Sequence, residues 1–224
     1  MADSRDSNRN KRPVIAVDGP SSSGKSTIAR GIAAALHLQH LDTGKLYRIF
    51  AVRFPDKHLQ ARKSCTDIQL SKQEREEILS ALNDSNPVYY TERAGNMASI
   101  LARDSLVRKA LLEIQQQFVR SAPFGAVVDG RDIASVVCPD ADVKIFVNAY
   151  ASVRARRRFK QLHNSPRRVM YKSVFVHLLH RDIRDTCRSA APLVRDKDAL
   201  YLNNSHMQKA DTLRELVEKI KTFL

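Results

Sequence analysis

The stretch "GPSSSGKST", residues 19–27, decides the fold of this chain. From Gly19 to Ser26 it satisfies the pattern G-x-x-x-x-G-K-[ST]. The apolar run of residues 14–17 stands directly before it and predicts a short buried strand. Apolar residues then recur near the helical period and predict a helix from about Lys25. A strand, a glycine-rich loop and a helix in this order distinguish a phosphate-binding loop (P-loop) from a chance match.

The chemistry of this loop requires its residue types. Glycines let the backbone curl so that its N–H groups and the helix N-terminus attract phosphate oxygens. Lys25 is expected to act on the terminal phosphates of a nucleoside triphosphate as a catalytic cation, and Ser26 to be the Mg²⁺ ligand. The predicted donor-binding residues are Gly19, Pro20, Ser21, Ser22, Ser23, Gly24, Lys25, Ser26 and Thr27. The motif does not identify the group that accepts the phosphoryl.

Further short apolar runs alternate with helical patterns along the chain. Strands are predicted in "AVVDG" (126–130), "VKIFVN" (143–148) and "ALYLN" (199–203), and the chain closes on an amphipathic helix. Strands separated by helices predict an α/β domain with a parallel sheet. Residues 55–92 show no core strand and are interpreted as a polar insert with a helix near 71–83.

Length and composition limit the possibilities further. At 224 residues with 43% hydrophobic content, one domain over residues 13–224 is expected after a disordered polar leader, 1–12. No stretch approaches the roughly 18 apolar residues of a membrane span. Cys65, Cys138 and Cys187 match no zinc or disulfide spacing, which favours a reducing, cytoplasmic location. Each cysteine is expected to be a small buried side chain.

The charge is strongly positive. Lys and Arg number 38 against 24 Asp and Glu, a formal net charge of +14. Such an excess indicates a polyanionic partner, which could be nucleic acid, a lipid surface or phosphorylated small molecules. The placement of the arginines decides among these.

Two arginine-bearing patches follow predicted strands or turns. "LDTGKLYR" (41–48) reads as a turn and a helix N-cap, with Arg48 just over one turn beyond Gly44; a plain capped helix is the alternative. Arg131 and Asp132 follow the strand of "AVVDG". Ligands of parallel α/β sheets lie beyond the carboxyl ends of strands, and a guanidinium there suits a phosphate. The alternative is an Arg–Asp pair in a tight turn.

The third patch is the arginine-dense region 154–188. Helical spacing predicts that Arg154, Arg157 and Arg158 share one face, and that Arg181, Asp185 and Arg188 share another. Phe175, Leu179 and Ile183 fall opposite the second face. So many like charges pack together only when an anion neutralises them. The alternative is a solvated helix with an exposed Arg181–Asp185 ion pair.

These segments together resemble the bacterial cytidylate kinase family. The resemblance rests on "GPSSSGKST", "LDTGKLYR", "MASILARDSLVRKALLEIQQQF", "VVDGRDIASVVCPDADVKIFVNA", "RARRRFKQL" and "RDIRDTCRSAAPLVRDKDALYL", in that order. It implies a P-loop nucleoside monophosphate kinase with a five-stranded parallel sheet, a lid at about 154–180 and a monophosphate-binding insert at about 49–105. The implied reaction transfers the γ-phosphoryl of ATP to CMP or dCMP, with UMP a poorer acceptor.

The resemblance also implies site residues. Arg48 and Arg131 would hold the acceptor phosphate beside Thr43, and Ser99, Arg108 and Asp132 would recognise cytosine. Arg181 and Asp185 would contact the ribose, and Arg188 would help to hold the acceptor. Arg154, Arg157 and Arg158 would be catalytic lid arginines near the transferring phosphoryl. An aspartate suits cytosine, because cytosine presents an amino donor where uracil presents a carbonyl.

The chain departs from the family pattern in places. Its insert is shorter and more helical, which bears on CMP over UMP discrimination, and Thr43 replaces a serine. After "APL", "VRDKDA" and "NNS" (203–205) depart from the family pattern in a region that lies near the ATP base. Two other functions remain open at this stage: a P-loop kinase for another monophosphate or small metabolite, and a basic nucleic-acid-binding protein regulated by ATP. We expect ATP and CMP or dCMP as partners, no membrane or nucleic acid, and a monomer.

Overall fold

A five-stranded parallel sheet forms the centre of the protein. The structure is a computed structural model that describes residues 12–163, 169–206 and 209–224. The strands are β1 (Val14–Asp18), β2 (Gln39–Asp42), β3 (Ala126–Gly130), β4 (Val143–Asn148) and β5 (Leu200–Asn203). They are arranged in the order β2-β3-β1-β4-β5, and every neighbouring pair is parallel. The expected α/β fold with a five-stranded parallel sheet is confirmed.

Strand β2 is the strand that the residue pattern did not reveal. It lies at one edge of the sheet and pairs with β3 alone. Its sequence is "QHLD", and only Leu41 in it is buried. One buried apolar residue carries no periodicity, and so the strand could be expected only through the family resemblance.

Helices cover both faces of the sheet. They are α1 (Lys25–Leu36), α2 (Thr43–Arg53), α3 (Lys57–Ser64), α4 (Lys72–Ala81), α5 (Glu92–Leu101), α6 (Ser105–Ser121), α7 (Ala151–His163), α8 (Tyr171–Cys187) and α9 (Lys209–Lys221). On one face, α1 and α9 pack against β1 and β4 through Ile32 and Ile220. On the other face, α6 and a π-helical turn over Ile133–Val137 pack against β3.

The insert after α2 is less polar in its packing than its composition suggests. Ile68, Leu70, Ile78 and Tyr89 are buried and join a core shared with α2 and α6. The predicted helix near 71–83 is present as α4, which starts with a capping box in which Ser71 and Glu74 exchange hydrogen bonds. The interpretation of residues 55–92 as a polar insert is therefore wrong for the face that packs against α2 and α6, which is apolar. Apolar residues this sparse in sequence reveal their common core only after folding.

The register of the sheet brings two loops together. Asp18 is paired with Gly130, so β1 and β3 end side by side. The P-loop starts after Asp18, and the turn with Arg131 and Asp132 starts after Gly130. The Asp18 carboxylate, only 2% exposed, accepts the backbone N–H groups of Ile133 and Ala134 at 2.9 and 2.8 Å. This carboxylate therefore ties the start of the P-loop to the turn.

The structure also tests the expectations about the cysteines and about membrane-spanning segments. Cys138 is buried, but Cys65 and Cys187 are exposed, so the expectation of three buried cysteines is wrong. Both exposed cysteines lie at the ends of polar helices, where burial is not required. Among the described residues, no helix is both long and apolar enough to cross a membrane. The leader, apart from Arg12, lies outside the described residues, and so does 164–168 of the proposed lid.

We predict that the buried face of the insert contributes to global stability. Ile78→Ala is expected to lower the free energy of unfolding by about 2–5 kcal/mol, because it removes a fully buried side chain and leaves a cavity. Leu59→Ala is the control, since Leu59 in α3 is 48% exposed and should cost less than about 1 kcal/mol. Urea denaturation followed by circular dichroism measures both. Equal small losses would contradict the shared core.

Candidate active site

A large cavity lies at the carboxyl end of the sheet. It has a volume of about 690 Å³ and runs from the P-loop to the turn after β3. Its lining includes these predicted site residues: Ser21, Ser22, Gly24, Lys25, Ser26, Thr27, Thr43, Arg48, Ser99, Arg108, Arg131, Asp132, Arg157, Arg158, Arg181, Asp185 and Arg188. Gly19, Pro20, Ser23 and Arg154 do not line it. The cavity is large enough for two small ligands that meet end to end.

The P-loop has the backbone shape that a phosphate cradle needs. Gly24 at its end has φ +93°, a left-handed conformation that strains any residue with a side chain. A Cβ atom there would also lie 2.8 Å from Asn204 Nδ2. Lys25 follows at the first position of α1, and its Nζ lies 3.4 Å from the Pro20 carbonyl oxygen. Burial lowers the pKa of Lys25 to about 7, with a further contribution from Arg131. A bound anion would favour the charged ammonium.

Asp129 at the end of β3 reaches under the P-loop. Its Oδ2 accepts a hydrogen bond from Ser26 Oγ at 2.6 Å, and its Oδ1 lies 2.7 Å from His40 Nε2. A hydroxyl beside a carboxylate offers the oxygen ligands that Mg²⁺ prefers, with phosphate and water completing its shell. Ser26 and Asp129 therefore fit a magnesium ion bound together with a triphosphate.

The turn after β3 carries two networks of guanidinium and carboxylate groups. Arg131 Nε donates to Asp185 Oδ2 at 2.9 Å, which joins the turn to α8. Asp132 pairs with Arg108 through Oδ2 and with Arg188 Nη2 through Oδ1, the latter at 3.3 Å. Burial opposes ionisation of Asp185, but the charge of Arg131 holds its pKa below the usual range. Asp185 therefore pairs with Arg131, and not with Arg181 as in the alternative of an exposed ion pair on a solvated helix.

Two further guanidinium groups line the cavity, and each has a buried Nε without a hydrogen-bond partner. Arg48 Nη2 lies 3.3 Å from Asp42 Oδ2, but its buried Nε has no hydrogen-bond partner. Arg181 Nε is also buried without a partner. Burial, followed by the charge of Arg131, lowers the pKa of Arg181 to about 10. Buried donors of this kind are costly unless a ligand satisfies them, and only an anion also balances their charge.

Ser99 and Thr43 are both buried, although helix positions of this kind are usually exposed. Ser99 Oγ on α5 accepts a hydrogen bond from Arg184 Nη1 at 3.2 Å. Thr43 Oγ1 donates to the carbonyl oxygen of Asp129 at 2.8 Å. The hydroxyl of Thr43 thus ties the start of α2 to the end of β3 at the floor of the cavity.

The arginines of α7 divide into two kinds. Arg157 and Arg158 line the cavity; Arg157 Nη1 donates to the Ser23 carbonyl oxygen at 3.2 Å and to Asn204 Oδ1 at 3.0 Å. Arg154 is only 6% exposed and donates to the carbonyl oxygens of Ala149 and Ser21 instead. Its shared face with the other two does not bring it into the cavity lining, because it packs one turn closer to the sheet. The structure therefore does not support Arg154 as a catalytic group.

The residues that α8 buries also differ from those that its sequence pattern predicts on one apolar face. Val174, Leu178 and Asp185 are its buried residues, and Arg181 is half-buried between them. Ile183, predicted on an apolar face with Phe175 and Leu179, is 59% exposed. Arg188 lies just beyond the end of the helix and is buried there.

Several cavity residues were not anticipated. Asp129 stands at the same strand end as Arg131, and the argument from strand ends could have found it. Asn204 follows β5 and bonds to Arg157 through Oδ1 and, at 3.0 Å, through its carbonyl oxygen. Tyr90 belongs to the insert, and its ring centroid lies 5.8 Å from the Arg48 guanidinium. No sequence signal marks Tyr90, whereas Asn204 belongs to "NNS" (203–205), a stretch that the family resemblance places near the ATP base.

Comparisons with known proteins agree on a family. The family model described as Cytidylate kinase matches residues 15–222. A cytidylate kinase of Azorhizobium caulinodans is 43% identical over 194 residues, which cover 87% of this chain and 91% of that protein. One of Xanthobacter autotrophicus is 41% identical over 198 residues, covering 88% and 91%. An uncharacterised protein of Eubacterium ventriosum shares the fold, with a TM-score of 0.54, 9% identity and coverage of 94% and 99%.

We predict that ATP binding takes up protons near pH 8. The pKa of Lys25 is lowered to about 7, so the free protein holds this lysine mostly neutral at about pH 8, and phosphate oxygens raise its pKa on binding. Calorimetric titration in two buffers of different ionisation enthalpy should show an uptake approaching about one proton. At about pH 6 this contribution should vanish, since Lys25 is already charged.

Lys25→Arg is the matched control for this measurement, because arginine keeps its proton at either pH. Its uptake near pH 8 should be close to zero. Equal uptake in the two proteins would rule out Lys25 as the source.

Proposed function

The chain belongs to the cytidylate kinase family, and from this premise we propose that it transfers the γ-phosphoryl group of ATP to CMP or dCMP, giving ADP and CDP or dCDP. One observation carries the proposal beyond the family. A P-loop and a cluster of guanidinium groups with paired carboxylates line the same cavity of about 690 Å³. An enzyme that only hydrolysed ATP would not need the second, arginine-lined half.

The donor half would hold ATP on the P-loop. The backbone N–H groups of residues 22–27 and the N-terminus of α1 suit the phosphates, and Lys25 would balance the charge at the terminal phosphate. Ser26, with Asp129 beside it, would hold Mg²⁺, which when bound neutralises part of the charge on the phosphate oxygens. Asn204 and Arg157 close this half on the side of β5.

The acceptor phosphate would sit between Arg48, Arg131 and Arg181. Arg48 and Arg181 each have a buried Nε without a hydrogen-bond partner. Arg131 uses only its Nε, and not its whole guanidinium group, to donate to Asp185. A monophosphate offers oxygens to each of them and supplies the charge that this group lacks. Arg181 and Asp185 would also contact the ribose, as the family resemblance implies.

The base would be recognised by Ser99, Arg108 and Asp132. A carboxylate oxygen accepts from the amino group of cytosine but is repelled by the carbonyl that uracil has in its place. Arg108 can donate to the ring carbonyl and nitrogen acceptors of the base. Arg188 holds the other oxygen of Asp132, and so fixes the direction of the carboxylate.

Transfer would proceed by position and charge, without a covalent enzyme intermediate. Two nucleotides with facing phosphates repel each other at close range. Arg131 and Arg181 from the acceptor side, with Arg157 and Arg158 from α7, would offset this repulsion and stabilise charge on the moving phosphoryl. The insert at 49–105 and the lid at 154–180 remain predictions as separate moving parts, as do the monomer and the cytoplasmic location.

We predict ADP release that depends on a pyrimidine monophosphate. A coupled assay with Mg²⁺–ATP and CMP, dCMP, UMP or AMP in parallel should show the highest kcat/KM for CMP and dCMP. Lys25→Met should lower kcat by at least about a hundredfold, because it removes the cation at the terminal phosphate. Its far-ultraviolet circular dichroism should match the wild type. Preference for AMP or a non-nucleotide acceptor would instead support the rival kinase function.

A second prediction concerns the choice of base. Asp132→Asn should lower kcat/KM for CMP by about 10- to 100-fold and narrow the ratio of CMP to UMP, because the amide can donate to uracil. Asp67→Asn is the matched control, since it removes an exposed ion pair with Lys109. An unchanged CMP to UMP ratio in Asp132→Asn would show that another group reads the base.

A further inference from the structure

The main chain of one P-loop residue, Ser21, is held by two side chains from outside the loop. The Ser21 N–H donates to Asp182 Oδ1 of α8 at 3.3 Å. The Ser21 carbonyl oxygen accepts from Arg154 Nη1 of α7 at 3.1 Å. The two side chains also pair with each other, Arg154 Nη1 to Asp182 Oδ2 at 2.5 Å. The main-chain N–H and the carbonyl oxygen of this one residue are therefore both fixed by a single ion pair.

The ion pair is itself firmly anchored. Arg154 is 6% exposed, and its Nε donates to the Ala149 carbonyl oxygen at 2.8 Å. The side chain of Asp182 is 17% exposed. Charge-assisted hydrogen bonds in such surroundings are stronger and more directional than neutral ones at a surface. The pair can therefore impose an orientation on Ser21 that the serine and glycine residues of the loop would not keep by themselves.

The position of the pair separates it from both nucleotide sites. Ser21 lines the cavity, whereas Arg154 and Asp182 do not. Asp182 follows Arg181 on α8, and Arg181 lines the acceptor half. The same helix thus contacts the donor loop through one side chain and the acceptor pocket through the preceding one. A defect in the first contact should affect ATP, while a displaced helix would affect both nucleotides.

We propose that Asp182 and Arg154 are positioning residues that hold the main chain of Ser21 in the P-loop and thereby set the affinity for ATP without touching either nucleotide. The inference rests on the proposed kinase function. When the main chain of Ser21 is released, the N–H groups that follow it lose their common direction toward the phosphates, and the loop binds its anion less well. Neither residue takes part in the transfer itself.

The test is a comparison of donor and acceptor parameters in Asp182→Asn. The asparagine can still accept from Ser21 but loses the charge that holds Arg154. We expect the KM for ATP and the Kd for Mg²⁺–ATP, measured by calorimetry, to rise about tenfold. The KM for CMP should change by less than about twofold. Asp67→Asn, which breaks an exposed ion pair far from Ser21 in sequence, should leave both values unchanged.

Arg154→Lys provides a second variant. Arginine reaches the Ala149 carbonyl oxygen through Nε and the Ser21 carbonyl oxygen and Asp182 through Nη1, whereas lysine has one nitrogen in place of these two, and so the same selective loss of ATP affinity is expected. An equal rise of both KM values, or no change in either, would overturn the proposal. Failure of both variants to fold would overturn it too, because the pair would then hold the fold rather than the loop.

The Kd for ATP is measured without an acceptor. If wild-type protein binds ATP but phosphorylates no pyrimidine monophosphate, the proposed function fails while the effect of Asp182 on ATP binding is still decided.

Discussion

The carboxylate of Asp18 is the interaction on which the arrangement of the two nucleotide sites depends. It stands at the end of β1, directly before the P-loop, and accepts two backbone N–H groups from the start of the π-helical turn. Burial raises its pKa to about 6, so it is ionised at neutral pH and accepts both bonds. The turn with Arg131 and Asp132 is thereby fixed relative to the P-loop. A shift of either strand would separate the two sites.

Around this frame, the balance of charge determines what the cavity can bind. Asp132 and Asp185 neutralise Arg108, Arg188 and Arg131 in part, whereas the buried Nε atoms of Arg48 and Arg181 remain without partners. These aspartates direct individual guanidinium groups, and the remaining positive charge attracts phosphate. The net charge of +14 is thus concentrated, at least in part, where two anions must approach each other. This use of charge favours a nucleotide kinase over a protein that follows a nucleic-acid backbone, whose basic groups would line an extended groove.

Local pattern was sufficient for much of the fold and for part of the site. The P-loop, the strands other than β2 and the helix at α4 follow from apolar runs, glycines and caps that act over a few residues. Strand β2 was not predicted from the residue pattern, because only Leu41 in it is buried. The core of the insert was not predicted either, because its apolar residues are widely spaced in the sequence. Exposed Cys65 and Cys187 show that a residue type predicts burial only on average.

The site escaped prediction wherever its contacts join distant parts of the chain. Helical spacing places Arg154 with Arg157 and Arg158. It cannot show that Arg154 contacts both Asp182 and the main chain of Ser21, because these two residues lie 161 positions apart in the sequence. It also cannot tell that Asp185 pairs with Arg131 rather than with Arg181 on its own helix. Each guanidinium has the same chemistry in sequence. Its role depends on how many of its donors the folded chain already uses, because only unused donors remain for a substrate.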